Sequence, residues 1–441
     1  FSGDLVKGFT DKTRKEVTDS LGLAGEAHRS QVYGKISGRK VSIRHEQIVA
    51  FIDLALSFIR QSIQANRRKD SLYHAYNLIT LNESGFGIEY LYPMLEGQVA
   101  VLSSGFINPR EALEILNSLR KSDLYREDQD SYLLYPDRQL ATFMDKSRVD
   151  EKVLNKSKLL KALLERDDQT IIQQDAEGKL YFNPGLNNAN DLRSALARIK
   201  DPAMMQLIDE EKEIVLDIYE EVFKHHSFTG RSGKFFGYEG LGSIYWHMNS
   251  KLLLAVQEIY YKALNENQPE KIIEGLRSFY YDIKEGLGTK KNPEIYGAFP
   301  TDPYSHTPAH KGAQQPGMTG QVKEDILSRI GELGISIQDG CIEFNDSLLD
   351  PDEFLKDPTS FEYFDLKKHK EQLMLSKGSL AFLFCQVPIV YTLSESTGIQ
   401  VQFNDGSSEK IEGNRLPASL SRKIFSREGS IHSIQVQFGK K

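Results

Sequence analysis

The first segment whose side chains could do chemistry is a glycine-rich stretch at residues 227–247, which reads SFTGRSGKFFGYEGLGSIYWH. It combines flat aromatic rings at Tyr238 and Trp246 with a carboxyl group at Glu239. Aromatic rings stack on the C–H faces of pyranose sugars, and a carboxyl group bonds sugar hydroxyls or donates a proton. We therefore expect two sugar platforms and a general acid. The alternative is that Trp246 packs in the core and that Glu239 caps the following helix.

The second segment, residues 296–321, is rich in proline and glycine and reads YGAFPTDPYSHTPAHKGAQQPGMTGQ. So many stiff and permissive residues in one long loop predict a shaped surface. Pro308 stands between two histidines and prevents one regular helix from presenting both to zinc, so hydroxyl or phosphate binding is the better interpretation. Bracing hydrogen bonds within the loop are the alternative. The candidate side chains are Asp302, as a second candidate acid, and His306, His310, Lys311, Gln314 and Gln315.

A third segment, residues 126–138, reads REDQDSYLLYPDR and mixes carboxylates, tyrosines and arginines. Two carboxyl groups a few ångströms apart can divide acid and base roles in glycosidic chemistry, and Arg138 could bind substrate. A solvated turn with local ion pairs is the alternative. Tyr73, His74 and Asn77 are predicted on one face of a helix, and the short basic run from Arg67 to Lys69 is interpreted as a solvated helix end.

These segments lie among predicted helices. Apolar residues recur at steps of three and four over 43–63, which predicts an amphipathic helix. Residues 208–226 carry a wide apolar stripe, typical of an outer helix, whereas 242–264 are apolar nearly all round, as expected of an inner one. This alternation predicts a mainly α fold, an (α/α)6 toroid of helical hairpins. Further helices are predicted near 71–81, 109–119, 151–164 and 191–199, and the first forty residues are polar and dotted with glycine.

After about Gly334 the apolar period changes from 3.6 to 2. Residues 399–403 alternate between apolar and polar and are followed by Asn404-Asp405-Gly406, a hairpin turn signal. Residues 434–438 repeat the alternation, and 341–344 and 380–393 are further strand candidates. We therefore expect a helical, catalytic domain at 1–335 and a small C-terminal antiparallel sheet or sandwich at 336–441.

Composition excludes several classes of protein. A net charge of −7 and a pI near 5.9 argue against nucleic acid as a partner. The two cysteines have no metal-ligand spacing, so no disulfide framework, structural metal or cofactor is predicted, and a cytoplasmic location fits. No run of about eighteen apolar residues is present, so no membrane partner is expected. The serine-hydrolase elbow and the dinucleotide-binding fingerprint are also absent from the sequence.

The run GYEGLGSIYWHM at 237–248, followed by a buried helix and a β-rich end, resembles the catalytic toroid of cellobiose-phosphorylase-like enzymes, glycoside hydrolase family 94 and its relatives. The resemblance implies an inverting reaction on a disaccharide or oligosaccharide. A carboxylic acid protonates the glycosidic oxygen while inorganic phosphate as co-substrate, or water in a hydrolase, attacks the anomeric carbon. It also implies an upstream β-sandwich domain or a homo-oligomer as possible partners.

The chain lacks the motif that carries the general acid in this family. Residues 228–232, Phe-Thr-Gly-Arg-Ser, stand where the family has an Asp-Trp-Asn-Asp type of motif, so Glu239 or Asp302 is the expected acid on position alone. Two other classes of function remain open at this point. One is a catalytically inactive glycan-binding toroid, and the other is a structural helical scaffold whose loops pack against a partner.

Overall fold

The computed structural model describes residues 3–34, 38, 40–137, 142–225, 243–287, 306–308 and 321–439. Two compact units make up the chain. Unit 1 joins Phe1–Pro136 to Ser243–Lys441, and unit 2 is Asp137–Gly242. The C-terminal β-rich part therefore belongs to unit 1, and unit 2 is an insertion within unit 1.

The first part of unit 1 is mainly helical. Asn108 begins one helix with a capping box, accepting from the backbone of Glu111 while the Glu111 side chain returns to the Asn108 backbone. The elements are α1 Asp4–Lys7, α2 Asp11–Gly34, α3 His45–Ala65, β1 Leu78–Asn82, β2 Gly85–Glu89, α4 Leu95–Leu102, α5 Pro109–Arg120, β3 Tyr125–Arg126, a 3₁₀ turn at Glu127–Gln129, and β4 Ser131–Tyr132.

Unit 2 is a small helical body with a three-stranded antiparallel sheet in the order β5-β7-β6. Its core holds buried leucines and valines such as Leu160, Leu192 and Val215. Glu211, almost fully buried, accepts from Ser157 Oγ at 2.7 Å and from the backbone of Leu159 at 2.9 Å. The elements are α6 Phe143–Ser147, β5 Arg148–Val149, α7 Glu151–Leu154, α8 Lys158–Glu165, β6 Ile172–Gln174, β7 Leu180–Phe182, α9 Ala189–Arg198 and α10 Pro202–Phe223.

The second part of unit 1 passes from helices to strands after Glu332. Its elements are β8 Ser243–Tyr245, α11 Trp246–Asn265, α12 Glu270–Gly286, β9 His306–Pro308, α13 Gln321–Glu332, β10 Ile335–Gln338, β11 Cys341–Phe344, a 3₁₀ turn at Pro351–Glu353, β12 Thr359–Phe364, β13 Lys370–Leu375, β14 Ser379–Phe384, β15 Val387–Ser394, β16 Gly398–Phe403, β17 Ser408–Glu412, α14 Ala418–Phe425 and β18 Ile431–Gly439.

Helix α11 is the centre of the helical core. It packs against α4, α5, α12 and α13, and its residues Leu252 and Val256 have no exposed surface. The prediction that this helix is buried is confirmed. Its neighbour α12 buries one stripe, including Leu276 and Tyr280, and leaves the opposite side polar, as an amphipathic helix does.

Buried polar contacts fix α13 on this core. Glu332 is 1% exposed and accepts from Tyr280 Oη at 2.8 Å and from Lys284 Nζ at 2.7 Å, and it also pairs with Arg329. Gln257 donates to the backbone carbonyl of Ser328 at 2.7 Å. Because a buried polar group without a partner is costly, these contacts permit only one placement of α13 on α11 and α12.

The C-terminal strands form a five-stranded sheet in the order β14-β15-β18-β16-β17, over its own hydrophobic core. The predicted hairpin is confirmed, with Gln402 opposite Ser408. The prediction of a purely antiparallel sheet is wrong in one place, since β15 and β18 run parallel from Ile389 opposite Ile434 to Ser394 opposite Gly439. Helix α14 lies between β17 and β18 in the chain, and such a crossover allows a parallel neighbour.

Two predicted segments differ in the structure, and a third segment contains a helix where none was predicted. Residues 71–81 are not a helix, because Ser71 and Tyr76 adopt positive φ and Leu78–Asn82 pairs with β2. The helix predicted over 151–164 is interrupted where Ser157 caps α8, its Oγ accepting from the backbone of Leu160. The polar beginning of the chain contains α2, a long exposed helix.

Helix α3 confirms the amphipathic helix predicted over 43–63. None of its residues is buried, and apolar side chains such as Phe51, Ile52 and Ile59 are about half exposed or more. Within the described parts of the chain, α3 is the one helix long and apolar enough to cross a membrane, judged by length and composition alone. Asp53 and Arg60 interrupt its apolar surface.

Candidate functional site

Two of the three chemistry-bearing segments meet in a strand pair. Strand β8, at the end of the 227–247 segment, runs antiparallel to β9 in the 296–321 segment. Tyr245 lies opposite His306, and Ser243 lies opposite Pro308. Opposite residues of an antiparallel pair have Cα atoms about 4.5–5.5 Å apart, so the two loops leave from adjacent points.

The third segment joins the same place. Leu133 forms an antiparallel bridge with Ile244, and both side chains are buried. The Oγ of Ser131 donates to the backbone carbonyl of Gly286 at 2.6 Å, which ties this segment to the end of α12. All three segments identified from the sequence therefore converge within unit 1, and we take this convergence as the candidate site.

A buried amide on α11 holds the convergence together. Asn249 is 1% exposed, and its Oδ1 accepts from the backbone N–H of Tyr132 at 3.0 Å. Its Nδ2 donates to the carbonyl of Tyr132 at 2.9 Å and to that of Tyr245 at 3.2 Å. One side chain thus fixes both the 126–138 segment and β8 to the core helix.

A histidine and a buried glutamate lie beside β8. His247, the second residue of α11, has Nε2 3.1 Å from Oε2 of Glu324 on α13, and its Nδ1 lies 3.4 Å from the hydroxyl of Tyr245. The His247 side chain is 18% exposed and that of Glu324 is 3% exposed. The carboxylate therefore orients the imidazole: Nε2 is buried against it, and the side chain as a whole is only partly exposed.

Electrostatics keep that carboxylate charged. Burial of Glu324 favours its neutral form, but hydrogen bonds from His247, from its own backbone and from Lys323 outweigh burial and lower the pKa of this carboxyl.

A cluster of polar groups follows β3 and β4. Asp130 accepts from Tyr125 Oη at 2.5 Å and lies 3.2 Å from the guanidinium of Arg120, which stacks 4.1 Å from the Tyr125 ring. Burial raises the pKa of Tyr132 to about 12. Burial also raises the pKa of the Asp282 carboxyl on α12, although Arg120 acts in the opposite direction. Asp282 thus retains a proton to higher pH than a free aspartate does.

The alternative for the third segment also has support. Arg126 pairs with Asp128, with Nε 2.8 Å from Oδ1, as expected of local ion pairs in a turn. The segment therefore contains both a locally paired part and the cluster that faces α12.

The structure describes only two of the residues predicted from the sequence to form the site. Trp246 is fully buried in the helical core and shows no face to solvent, so it is assigned to the core, the alternative interpretation for this residue. The backbone of His306 lies in β9. The other candidates lie outside the described residues and stay predictions: Arg138, Tyr238, Glu239, Asp302, His310, Lys311, Gln314 and Gln315.

Sequence reasoning missed Asn249, Glu324, Arg120 and Asp282. Asn249 had a usable signal, since an amide within an otherwise buried helix must find hydrogen-bond partners. Glu324 gave no signal in the sequence, because it lies in an ordinary amphipathic helix and its role depends on where α13 packs.

One group of side chains in the described part of the chain is close enough to share a cation. Asp365, His369 and Glu371 have possible ligand atoms within 4.8 Å of one another. All three lie on the β12–β13 hairpin, where Asp365 already accepts from two backbone N–H groups of the turn. They are not part of the convergence of segments.

One region of the chain matches a known protein family. Residues 140–226 match the model of GH149 phosphorylase insertion domain 2. The matched range lies inside unit 2, so a boundary seen in the fold and a boundary seen in sequence agree. None of the curated proteins searched matches this chain.

The match covers well under half of the chain, but it supports a glycoside phosphorylase, the class that the resemblance named. The matched model is that of family 149, and family 94 itself is not shown. A carbohydrate substrate and phosphate are consistent with this match.

Proposed function

We propose that this chain acts as a glycoside phosphorylase, which cleaves a glycosidic bond with inorganic phosphate as co-substrate. The observation that carries the proposal is the match of residues 140–226 to a phosphorylase insertion domain. It is supported by the position of that insertion in the chain. Unit 2 interrupts unit 1 between Leu133 and Ile244, the pair at which the three chemistry-bearing segments meet.

In the proposed reaction a carboxylic acid protonates the leaving oxygen while phosphate attacks the anomeric carbon, with inversion. Glu239 is the proposed acid and Asp302 the alternative. Tyr238 is the proposed sugar platform, and Arg138, His306, His310, Lys311 and Gln315 are proposed to bind hydroxyls or phosphate. His247, oriented by Glu324, is proposed as a further hydrogen-bonding side chain at the base of the same loops. The finer architecture proposed is an (α/α)6 toroid with α11 in its inner ring.

The proposal also covers the substrate, location, cofactors and partners of the enzyme. We propose a disaccharide or oligosaccharide substrate, a cytoplasmic location, no metal or other cofactor, and no nucleic-acid or membrane partner. The full enzyme is proposed to include a β-sandwich domain or a second copy of the chain.

The test is sugar release from a panel of disaccharides and short glycans, with and without inorganic phosphate, followed by chromatography that separates free sugars from sugar 1-phosphates. Phosphate-dependent sugar 1-phosphate is the expected product. Free sugar formed equally without phosphate would replace the phosphorylase with a hydrolase, and no turnover of any glycan would overturn the proposal.

Variants then assign the acid. Glu239→Gln is expected to abolish turnover if Glu239 protonates the leaving oxygen, and Asp302→Asn provides the same test for the alternative. Glu266→Gln, at an exposed glutamate after α11, is the matched control and should leave turnover unchanged. Full activity in Glu239→Gln would exclude that residue as the donor.

A catalytically inactive glycan-binding protein is the second candidate. The observation that favours it is the absence of the acidic motif, with Phe-Thr-Gly-Arg-Ser at 228–232 in its place. This reading predicts that the chain binds oligosaccharide with an affinity insensitive to phosphate and forms no product.

A further inference from the structure

A pocket separate from the candidate site lies in the first part of unit 1 and is formed by the turn that follows α3. It has a volume of about 450 Å³, and its walls come from the turn and from the end of β2. The lining residues are Ala65, Arg67, Arg68, Lys69, Asp70, His74 and Tyr90. The pocket contains none of the side chains assigned above to the candidate site.

The pocket is rigidly anchored. Gln98 on α4 has no exposed surface; its Oε1 accepts from the backbone N–H of Tyr73 at 2.9 Å, and its Nε2 donates to the carbonyl of Tyr73 at 2.9 Å. Arg67 also bridges to Tyr73, and the backbone N–H of Arg68 donates to the carbonyl of Leu72 at 2.8 Å. Because the turn is fixed before any ligand arrives, binding there does not have to order it.

Three consecutive cations and a single carboxylate line the pocket, a net charge of +2 with His74 neutral (+3 − 1). Burial, and secondarily the charge of Arg68, lower the pKa of His74, which keeps this imidazole neutral near pH 7. On a chain of net charge −7 the lining side chains are locally positive, although two glutamates outside the lining, Glu111 and Glu114, pair with Arg67. The lining favours an anion.

The cations differ in how far they are already engaged. Arg68 holds Asp70 through two nitrogens, Nε at 3.0 Å from Oδ1 and Nη2 at 2.8 Å from Oδ2. Arg67 lies 3.3 Å from Glu114 and 3.6 Å from Glu111. Lys69 is exposed and has no ion-pair partner within the described part of the chain. Its ammonium group is therefore the one most open to an incoming anion.

The pocket also offers an aromatic face. The rings of His74 and Tyr90 are stacked with centroids 4.1 Å apart, and Tyr90 is 50% exposed. A ring held from one side by a neighbour presents a fixed surface to a pyranose. Oδ1 of Asp70 also accepts from the backbone N–H of Leu72 at 3.2 Å, so Oδ2, which Arg68 contacts as well, is the oxygen more open to a hydroxyl group.

We propose that this pocket binds a sugar phosphate, with the phosphate on Lys69 and Arg67, the pyranose against Tyr90 and a hydroxyl on Asp70. The site is separate from the one proposed for catalysis and does not depend on that proposal. A hexose phosphate in this pocket would act as a second ligand of the chain.

The test is isothermal titration of the full chain with glucose 1-phosphate, glucose and inorganic phosphate. Glucose 1-phosphate is expected to bind more tightly than either of its parts, and more weakly as salt is raised. Lys69→Ala removes one charged hydrogen bond and should weaken binding about tenfold. Tyr90→Leu removes the aromatic face and should weaken it roughly threefold to tenfold.

Two controls separate this site from the proposed active site. Lys121→Ala, at an exposed lysine after α5, removes the same charge elsewhere and should leave the affinity unchanged. His247→Leu should weaken any binding at the candidate catalytic site but leave binding in this pocket unchanged, even if no glycan is ever turned over. Equal affinities of wild type, Lys69→Ala and Tyr90→Leu would overturn the proposal. Inorganic phosphate binding as tightly as glucose 1-phosphate would reduce the pocket to an unspecific anion site and overturn it too.

Discussion

The interactions of Asn249 permit a quantitative prediction about the candidate site. Replacing Asn249 with leucine keeps the approximate volume but removes three hydrogen bonds to the backbone of Tyr132 and Tyr245. Each such bond contributes about 1 kcal/mol net, and a buried backbone group left without a partner costs about 1–3 kcal/mol. We expect the free energy of unfolding of unit 1 to fall by about 3–5 kcal/mol.

The chain contains a built-in probe for this measurement. Trp246 is the sole tryptophan, lies three residues before Asn249 and is fully buried, so its fluorescence follows the unfolding of this part of unit 1. Urea titration should show a midpoint lowered by about 1–2 M. Asn265→Leu, at the exposed end of the same helix, is the control and should shift the midpoint little.

Asn249→Asp tests the same contacts through pH. A carboxyl group buried at this position should have a raised pKa, and only its protonated form can donate to a backbone carbonyl. The Asn249→Asp variant is therefore most stable at low pH and loses stability as pH rises through the folded-state pKa of the new carboxyl group. The wild-type amide does not titrate and adds no such pH dependence of stability. A midpoint unchanged in Asn249→Leu, or a flat pH profile in Asn249→Asp, would refute the anchoring role.

Four other predictions concern single features. Gly334→Ala, whose new Cβ would lie 1.5 Å from a backbone oxygen, should prevent correct packing of unit 1, whereas Gly340→Ala, with a similar positive φ and open space, should cost only about 1 kcal/mol by thermal unfolding. Glu211→Leu should destabilise unit 2 by about 3 kcal/mol in urea, since it leaves a hydroxyl and an N–H unpaired. Glu324→Gln should remove the loss of stability that the wild type shows as pH falls through the lowered folded-state pKa of this carboxyl, measured by thermal unfolding across acidic pH. Replacing residues 138–242 with a short glycine linker should leave the far-UV circular dichroism and cooperative unfolding of unit 1 intact, because the flanking segments are bridged to each other.

Much of the fold could be predicted because periodicity records local burial. The pattern of α11 predicted its central position, and the strand alternation at 399–403 with its turn predicted β16 and β17. The failure at 71–81 has a distant cause. Tyr73 is held by Gln98, twenty-five residues further along the chain, and that contact overrides the local helical spacing.

The segments that form the candidate site could be predicted from the sequence, but the contacts that bring them together could not. Composition identified three segments, but their meeting depends on pairings such as Tyr245 with His306 and Leu133 with Ile244, which join positions far apart in the chain. Glu324 and Asp282 gain their significance only from the side chains packed around them. The residues next to Glu324 and Asp282 in the sequence do not reveal which distant side chains will pack against them.

The order of strands in the C-terminal sheet bears on how the protein is made. Strand β18 is the last of the described strands along the chain, yet it occupies the centre of the sheet, between β15 and β16. While the polypeptide emerges from the ribosome, β15 and β16 lack the neighbour that joins them, and their inner edges stay open until residues 431–439 have been synthesised. The sheet is therefore completed only after all its other strands have been synthesised, and the nascent chain depends on protection of those two edges until then.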